Sequence, residues 1–119
     1  MSNPKIVFLL SDATGETAEK MVMAALLQFG DRDVRLRRIS HVRSKNQVYE
    51  ALDEILAAQG IVVYTIVNRE LARLVHDECD SLGLPSIDLI TPLLMKITEF
   101  FGLSPRETPG LLHGIDEDY

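Results

Sequence analysis

Apolar residues follow two rhythms along this chain. Short unbroken runs alternate with longer stretches in which they recur every three or four positions. Ile6-Val7-Phe8-Leu9-Leu10 is the first run. Its near-continuous character predicts a strand over 5–11, covered on both faces. Ala18, Met21, Val22, Ala25, Leu26 and Phe29 then recur at helical spacing. They predict a helix over 16–29 that Gly30 stops. In Val34-Arg35-Leu36-Arg37 the character alternates, so the strand over 34–40 has one polar face. That suits a sheet edge, where charges discourage further pairing. Ser44 or Asn46 caps a second helix running to 58, with Val48, Leu52, Ile55 and Leu56 inward and Gly60 beyond its end. The β-branched run over 61–67 is the strongest strand signal. Asn68 caps a third helix over 69–82, lined by Leu71, Leu74, Val75 and Leu82. Gly83 and Pro85 precede a short strand over 86–90. Thr91-Pro92 predicts a sharp helix start, threonine at the cap and proline at the first helical position. Leu93, Leu94, Ile97, Phe100 and Phe101 carry that helix to Gly102.

Four strands alternating with four helices imply an α/β fold, a parallel four-stranded sheet with right-handed crossovers. A polar-faced second strand at the edge predicts the order 2-1-3-4, flanked by helices in the Rossmann/flavodoxin-like manner. Ligands of such sheets sit beyond the carboxyl ends of the strands, near the point where the order reverses. That point falls between the first and third strands. The α/β domain covers 1–102. The stretch 103–119 has prolines at 105 and 109, no sustained period and an acidic end. It reads as an extended tail leading elsewhere.

The 119 residues suit one domain able to hold a core without metals or disulfides. A net charge of −6 argues against nucleic-acid binding, which needs a basic face. Cys79 is the one cysteine, so no internal disulfide forms. No signal-like start precedes the first strand, and no apolar run approaches membrane-spanning length, so a cytoplasmic protein off the membrane is expected.

The candidate chemistry lies on the carboxyl rim. Ser11, Asp12, Thr14, Gly15, Glu16 and Thr17 form a polar turn between the first strand and the first helix. Such a turn sets hydroxyls and unpaired N–H groups at a helix N-terminus, a place that favours anions. It has one glycine, not the three of G-x-G-x-x-G, and the chain holds no G-x-x-x-x-G-K-[ST]. Asp12 or Thr14 simply capping the helix is the plainer explanation of the turn, since the helix needs a cap in any case. Asp12 and Glu16 could serve as base and metal-water ligand, but capping and dipole compensation account for both. His41 and Arg43 follow the second strand, Asn68 the third and Thr91 the fourth. His41 suits phosphate or a partner side chain, or is an ordinary exposed loop histidine. Arg35 and Arg37 suit an anion site or a solvated edge. His76 reads as a solvated helix residue, His113 has no local role, and Cys79 reads as a half-buried helix residue. No metal-ligand spacing is present. Pattern and spacing alone reach an α/β domain with an anion-friendly rim and no reaction.

Ser11-Asp12-Ala13-Thr14-Gly15-Glu16-Thr17-Ala18-Glu19 resembles the opening signature of the regulatory proteins of pyruvate, phosphate dikinase, relatives of the phosphoenolpyruvate synthase regulators. Pro92-Leu93, Pro109-Gly110 and the closing Asp116-Glu117-Asp118-Tyr119 match in order, along essentially the whole chain. Gly15-Glu16-Thr17-Ala18 looks more like the dikinase branch. The resemblance implies a bifunctional enzyme. It uses ADP to phosphorylate a threonine of the dikinase, inactivating it, and removes the phosphate with inorganic phosphate, giving pyrophosphate. ADP and phosphate are then substrates of the full-length protein, and no cofactor is implied within this chain. The family's P-loop lies in its second half, so none of its residues can be carried over. The chain is expected to be the N-terminal domain, inactive alone, supplying phosphate or substrate contacts at the rim. A docking or homodimerisation module, a synthase regulator and a flavodoxin-like small-molecule binder are the other readings.

Overall fold

The computed structural model describes residues 4–30 and 33–111. Four strands, β1 (Lys5–Ser11), β2 (Val34–Ile39), β3 (Ile61–Thr65) and β4 (Ser86–Asp88), alternate with four helices. The helices are α1 (Glu16–Leu26, extended by a 3-10 turn at Leu27–Phe29), α2 (Lys45–Ala58), α3 (Arg69–Leu82) and α4 (Thr91–Phe101). The sheet is parallel throughout, in the order β2-β1-β3-β4. The expected order holds, and β2 stands at the edge because Arg35 and Arg37 are exposed there. Arg37 pairs with Glu54 of α2 at 2.7 Å, a solvated ion pair of little energetic weight.

The period-two alternation of β1 divides the core. Phe8 and Leu10 join Val62 and Tyr64 against α2 and α3. Val48, Ala51, Leu52 and Ile55 of α2 and Ala72, Val75 and Cys79 of α3 close that face. Val7, Leu9 and Val63 point the other way, against Ala18 of α1. Gly60 enters β3 where a Cβ would stand 2.6 Å from the Phe8 ring and 2.8 Å from the Ile6 carbonyl. A side chain there would displace the core strand itself.

Several expectations change. Strands β2, β3 and β4 stop short of the expected 40, 67 and 90; Ser40 and Val67 bond instead to the β1–α1 turn, and the Ile90 N–H to Asp88 of β4 itself. Within α1 only Ala18 is buried, and Met21 and Phe29 are exposed. Leu56 and Leu82 are also exposed, their inward places taken by the smaller Ala51, Ala72 and Cys79. Cys79 is fully buried rather than half-buried, and burial pushes its thiol pKa up. His76 is exposed on α3, as expected. His113 and the 116–119 part of the resemblance lie outside the described residues. Among the described residues, no helix is long and apolar enough to cross a membrane.

Candidate functional site

β1 ends in Ser11, whose Oγ accepts from the Ala13 N–H at 3.0 Å and folds the following turn tightly. Gly15 is the residue before α1, with φ +88°, a left-handed conformation that glycine adopts without Cβ strain. Neither Asp12 nor Thr14 occupies the cap position, so the capping expectation is corrected. Thr14 Oγ1 instead accepts from Glu16 N–H at 3.3 Å, a local turn contact. Glu16 and Thr17 are exposed on the first turn of the helix.

Asp12 has a different task. Its carboxylate accepts from the Val67 N–H at 2.8 Å, and its own N–H donates to the Thr65 carbonyl at 3.4 Å. It therefore sutures the ends of β1 and β3 at the point where strand order reverses. The residue is buried, and burial raises its carboxyl pKa above the usual 3.8. The Val67 hydrogen bond and the positive charge of Arg43 oppose that rise.

The loop after β2 is tied to the same turn. The N–H groups of His41 and Val42 donate to the carbonyls of Ala13 and Ser11, both at 2.9 Å. His41 reaches this geometry with φ +58°, outside the comfortable region for a residue with a Cβ. Ser40 Oγ donates to the Thr14 carbonyl at 2.8 Å, and Arg43 Nε to the Asp12 carbonyl at 2.9 Å. Arg38 adds a contact from its guanidinium to the Thr14 carbonyl at 3.5 Å and pairs with Glu19 of α1. Thus Ser11, Asp12, Thr14, Gly15, His41 and Arg43 meet in one hydrogen-bonded rim, with Glu16 and Thr17 beside them.

Asn68 and Thr91 stand further along the rim. Asn68 caps α3 as expected, its Oδ1 accepting from the Leu71 N–H at 3.0 Å. Thr91 is not the cap of α4. Ile90 takes that position, and Asp88 Oδ1 accepts from the N–H groups of both Ile90 and Thr91, at 3.0 and 2.8 Å. Thr91 lines an open cleft of about 920 Å³ between α3 and α4, whose walls carry both signs of charge, including Arg69, Arg73, Asp77 and Glu99.

The sequence places Ser40 on this rim, as found, but gives no sign of Arg38 or Glu107. Glu107, at φ +55°, accepts from the Arg69 N–H at 2.6 Å, setting a carboxylate against the first turn of α3. Gly110 passes beside Ala13, so the tail crosses the rim from α4 toward the β1–α1 turn. Nothing local distinguishes these residues, because each partner is distant in sequence.

The rim offers a helix N-terminus, an exposed hydroxyl at Thr17 and a cation, Arg43, held to the Asp12 carbonyl. Such a set suits an anion such as phosphate.

Comparison with known proteins gives this arrangement a context. Residues 7–119 match the family described as Kinase/pyrophosphorylase. A Geobacter sulfurreducens protein named "Putative pyruvate, phosphate dikinase regulatory protein" is 52% identical over 115 residues, 97% of this chain and 43% of its own length. The protein of that name from Citrifermentans bemidjiense is 49% identical over 113 residues, 95% of this chain and 42% of its own. The one from Shouchella clausii is 36% identical over 114 residues, 96% and 42%. The chain therefore spans about two fifths of the length of these curated relatives.

Proposed function

This chain belongs to the kinase/pyrophosphorylase family, and on that premise we propose that it is the N-terminal domain of a bifunctional regulator of pyruvate, phosphate dikinase. The full-length protein transfers a phosphoryl group from ADP to a threonine hydroxyl of the dikinase, leaving AMP. In the opposite sense, inorganic phosphate attacks the phosphothreonine, which regains its hydroxyl while pyrophosphate leaves. The α/β body, 1–102, gives way to a tail, 103–119, leading toward the portion with the P-loop. The names of the relatives favour the dikinase over the synthase as partner.

Within that protein the rim supplies contacts to phosphate or to the phosphothreonine segment. The observation that supports this is the clamp of Arg43 on the Asp12 carbonyl at 2.9 Å, which holds a guanidinium at the turn entering α1. An anion seated there gains the charge of Arg43 and the dipole of α1 together. The loops are already tied, so little ordering is required when it binds. Asp12 is not the base in this reading. Its carboxylate is committed to the Val67 N–H and keeps the rim closed.

The test is Arg43→Ala and Thr17→Ala, made separately in the full-length protein and assayed for phosphorylation and for phosphorolysis. A charge-assisted hydrogen bond contributes about 1.5–3 kcal/mol, so Arg43→Ala should lower kcat/KM for phosphorolysis by about 10- to 100-fold. Thr17→Ala should cost less. Both activities within about twofold of the parent in both variants would contradict the reading.

A further inference from the structure

Helix α4 carries a surface that the rest of the described chain leaves uncovered. None of its residues is buried. On one side Leu94 and Thr98 line a small cleft together with Val67, Ser104, Pro105 and Glu107. Met95, Lys96 and Glu99 face α3 across the cleft. The opposite side presents Leu93, Ile97 and Phe100, spaced four and three residues apart and hence on one helical stripe. Phe101 flanks the stripe and Leu103 follows it. Phe100 is 84% exposed, Leu103 70% and Phe101 63%, with the two phenyl rings tilted against each other at 5.4 Å. Lys96, three residues after Leu93 and four before Phe100, borders the stripe, and it pairs with Glu99 at 3.5 Å on the cleft side. Large apolar side chains this exposed along one stripe of a helix suit a contact on its outer side.

Three considerations select the occupant. The curated relatives are more than twice as long as the stretch matched here. The tail after Gly102 is pinned to the body by Glu107 and passes Ala13, so it runs along the inner side of α4 and leaves the outer side open. A segment tethered to this domain competes at an effective concentration in the millimolar range, above that of a separate copy in solution.

We propose that in the full-length protein the portion C-terminal to this domain packs on α4 through Leu93, Ile97, Phe100 and Phe101. The proposal rests on the reading of the chain as an N-terminal domain, though not on the rim's role in binding phosphate. Amide hydrogen exchange of the full-length protein tests it. Peptides spanning 93–101 should exchange at least about 100-fold more slowly than a solvated helix, equally at low and high protein concentration. Exchange at the rate of a solvated helix would overturn the proposal. So would protection that grows with concentration alongside a dimer in ultracentrifugation, which would assign the face to a second copy. A gene that ends at Tyr119 would overturn it too. Loss of rim function in Arg43→Ala leaves these exchange rates unchanged, which separates this proposal from the phosphate reading.

Discussion

The two faces of the sheet differ more than its strands suggest. On the α2/α3 face, Phe8, Leu10, Val62 and Tyr64 meet two full-length helices and disappear into a continuous core. On the α1 face, Val7, Leu9 and Val63 are also buried, but the chief helical contact is Ala18, with Val22 only partly covered. Ile87, which pairs with Val63 in register, is 51% exposed on the same side. Met21, Met23, Leu27 and Phe29 are exposed on or just after α1. An apolar strand thus announces that both its faces are covered, without specifying how much of the cover lies in this stretch of chain.

The contrast has a direct energetic test. Leu52→Ala on the closed face should cost about 3–4 kcal/mol, since the buried leucine leaves a cavity among rigid neighbours. Val22→Ala on the open face should cost less than about 1 kcal/mol, because water already reaches the site. Urea unfolding measures both, and equal losses would erase the distinction between the faces.

The suture between β1 and β3 comes next in size. Asp12→Ala strands the Val67 N–H and should cost about 1–3 kcal/mol. Asp12→Asn keeps an acceptor and should cost less. It should also change the pH dependence. Burial, the largest influence, raises the Asp12 pKa above its ordinary 3.8, so the folded state holds that proton more tightly than the unfolded chain does. The favourable contribution of Asp12 is therefore complete below the unfolded pKa and is lost as pH rises through the folded one. The asparagine variant should gain on the parent across that window and then run parallel to it. A difference that stays flat in pH would show that Asp12 is not raised. The smallest effect belongs to Arg37→Ala, which removes a solvated ion pair with Glu54 and should shift stability by less than about 1 kcal/mol.

Sequence pattern made the architecture legible. The arginines of β2 marked an edge, the β-branched run of β3 a centre, and Asn68 a cap. The site was legible only in outline. The polar turn and the loop after β2 could be placed on one rim, but the bond from Asp12 to Val67 spans 55 positions and has no local signature. Arg38 was hidden for the same reason, since its partners Thr14 and Glu19 lie on other elements. The Thr91-Pro92 signal was real but incomplete. The strand residue Asp88 reaches forward to the same N–H groups and takes over the capping. Local chemistry specifies that an end must be satisfied, and tertiary proximity decides which side chain does it.

We propose that the rim of this domain receives phosphate. Amide hydrogen exchange of the full-length protein with and without inorganic phosphate tests it most directly. Peptides covering 14–19 and 41–44 should exchange more slowly when phosphate is added. Unchanged exchange there, with a response confined to the rest of the protein, would contradict it.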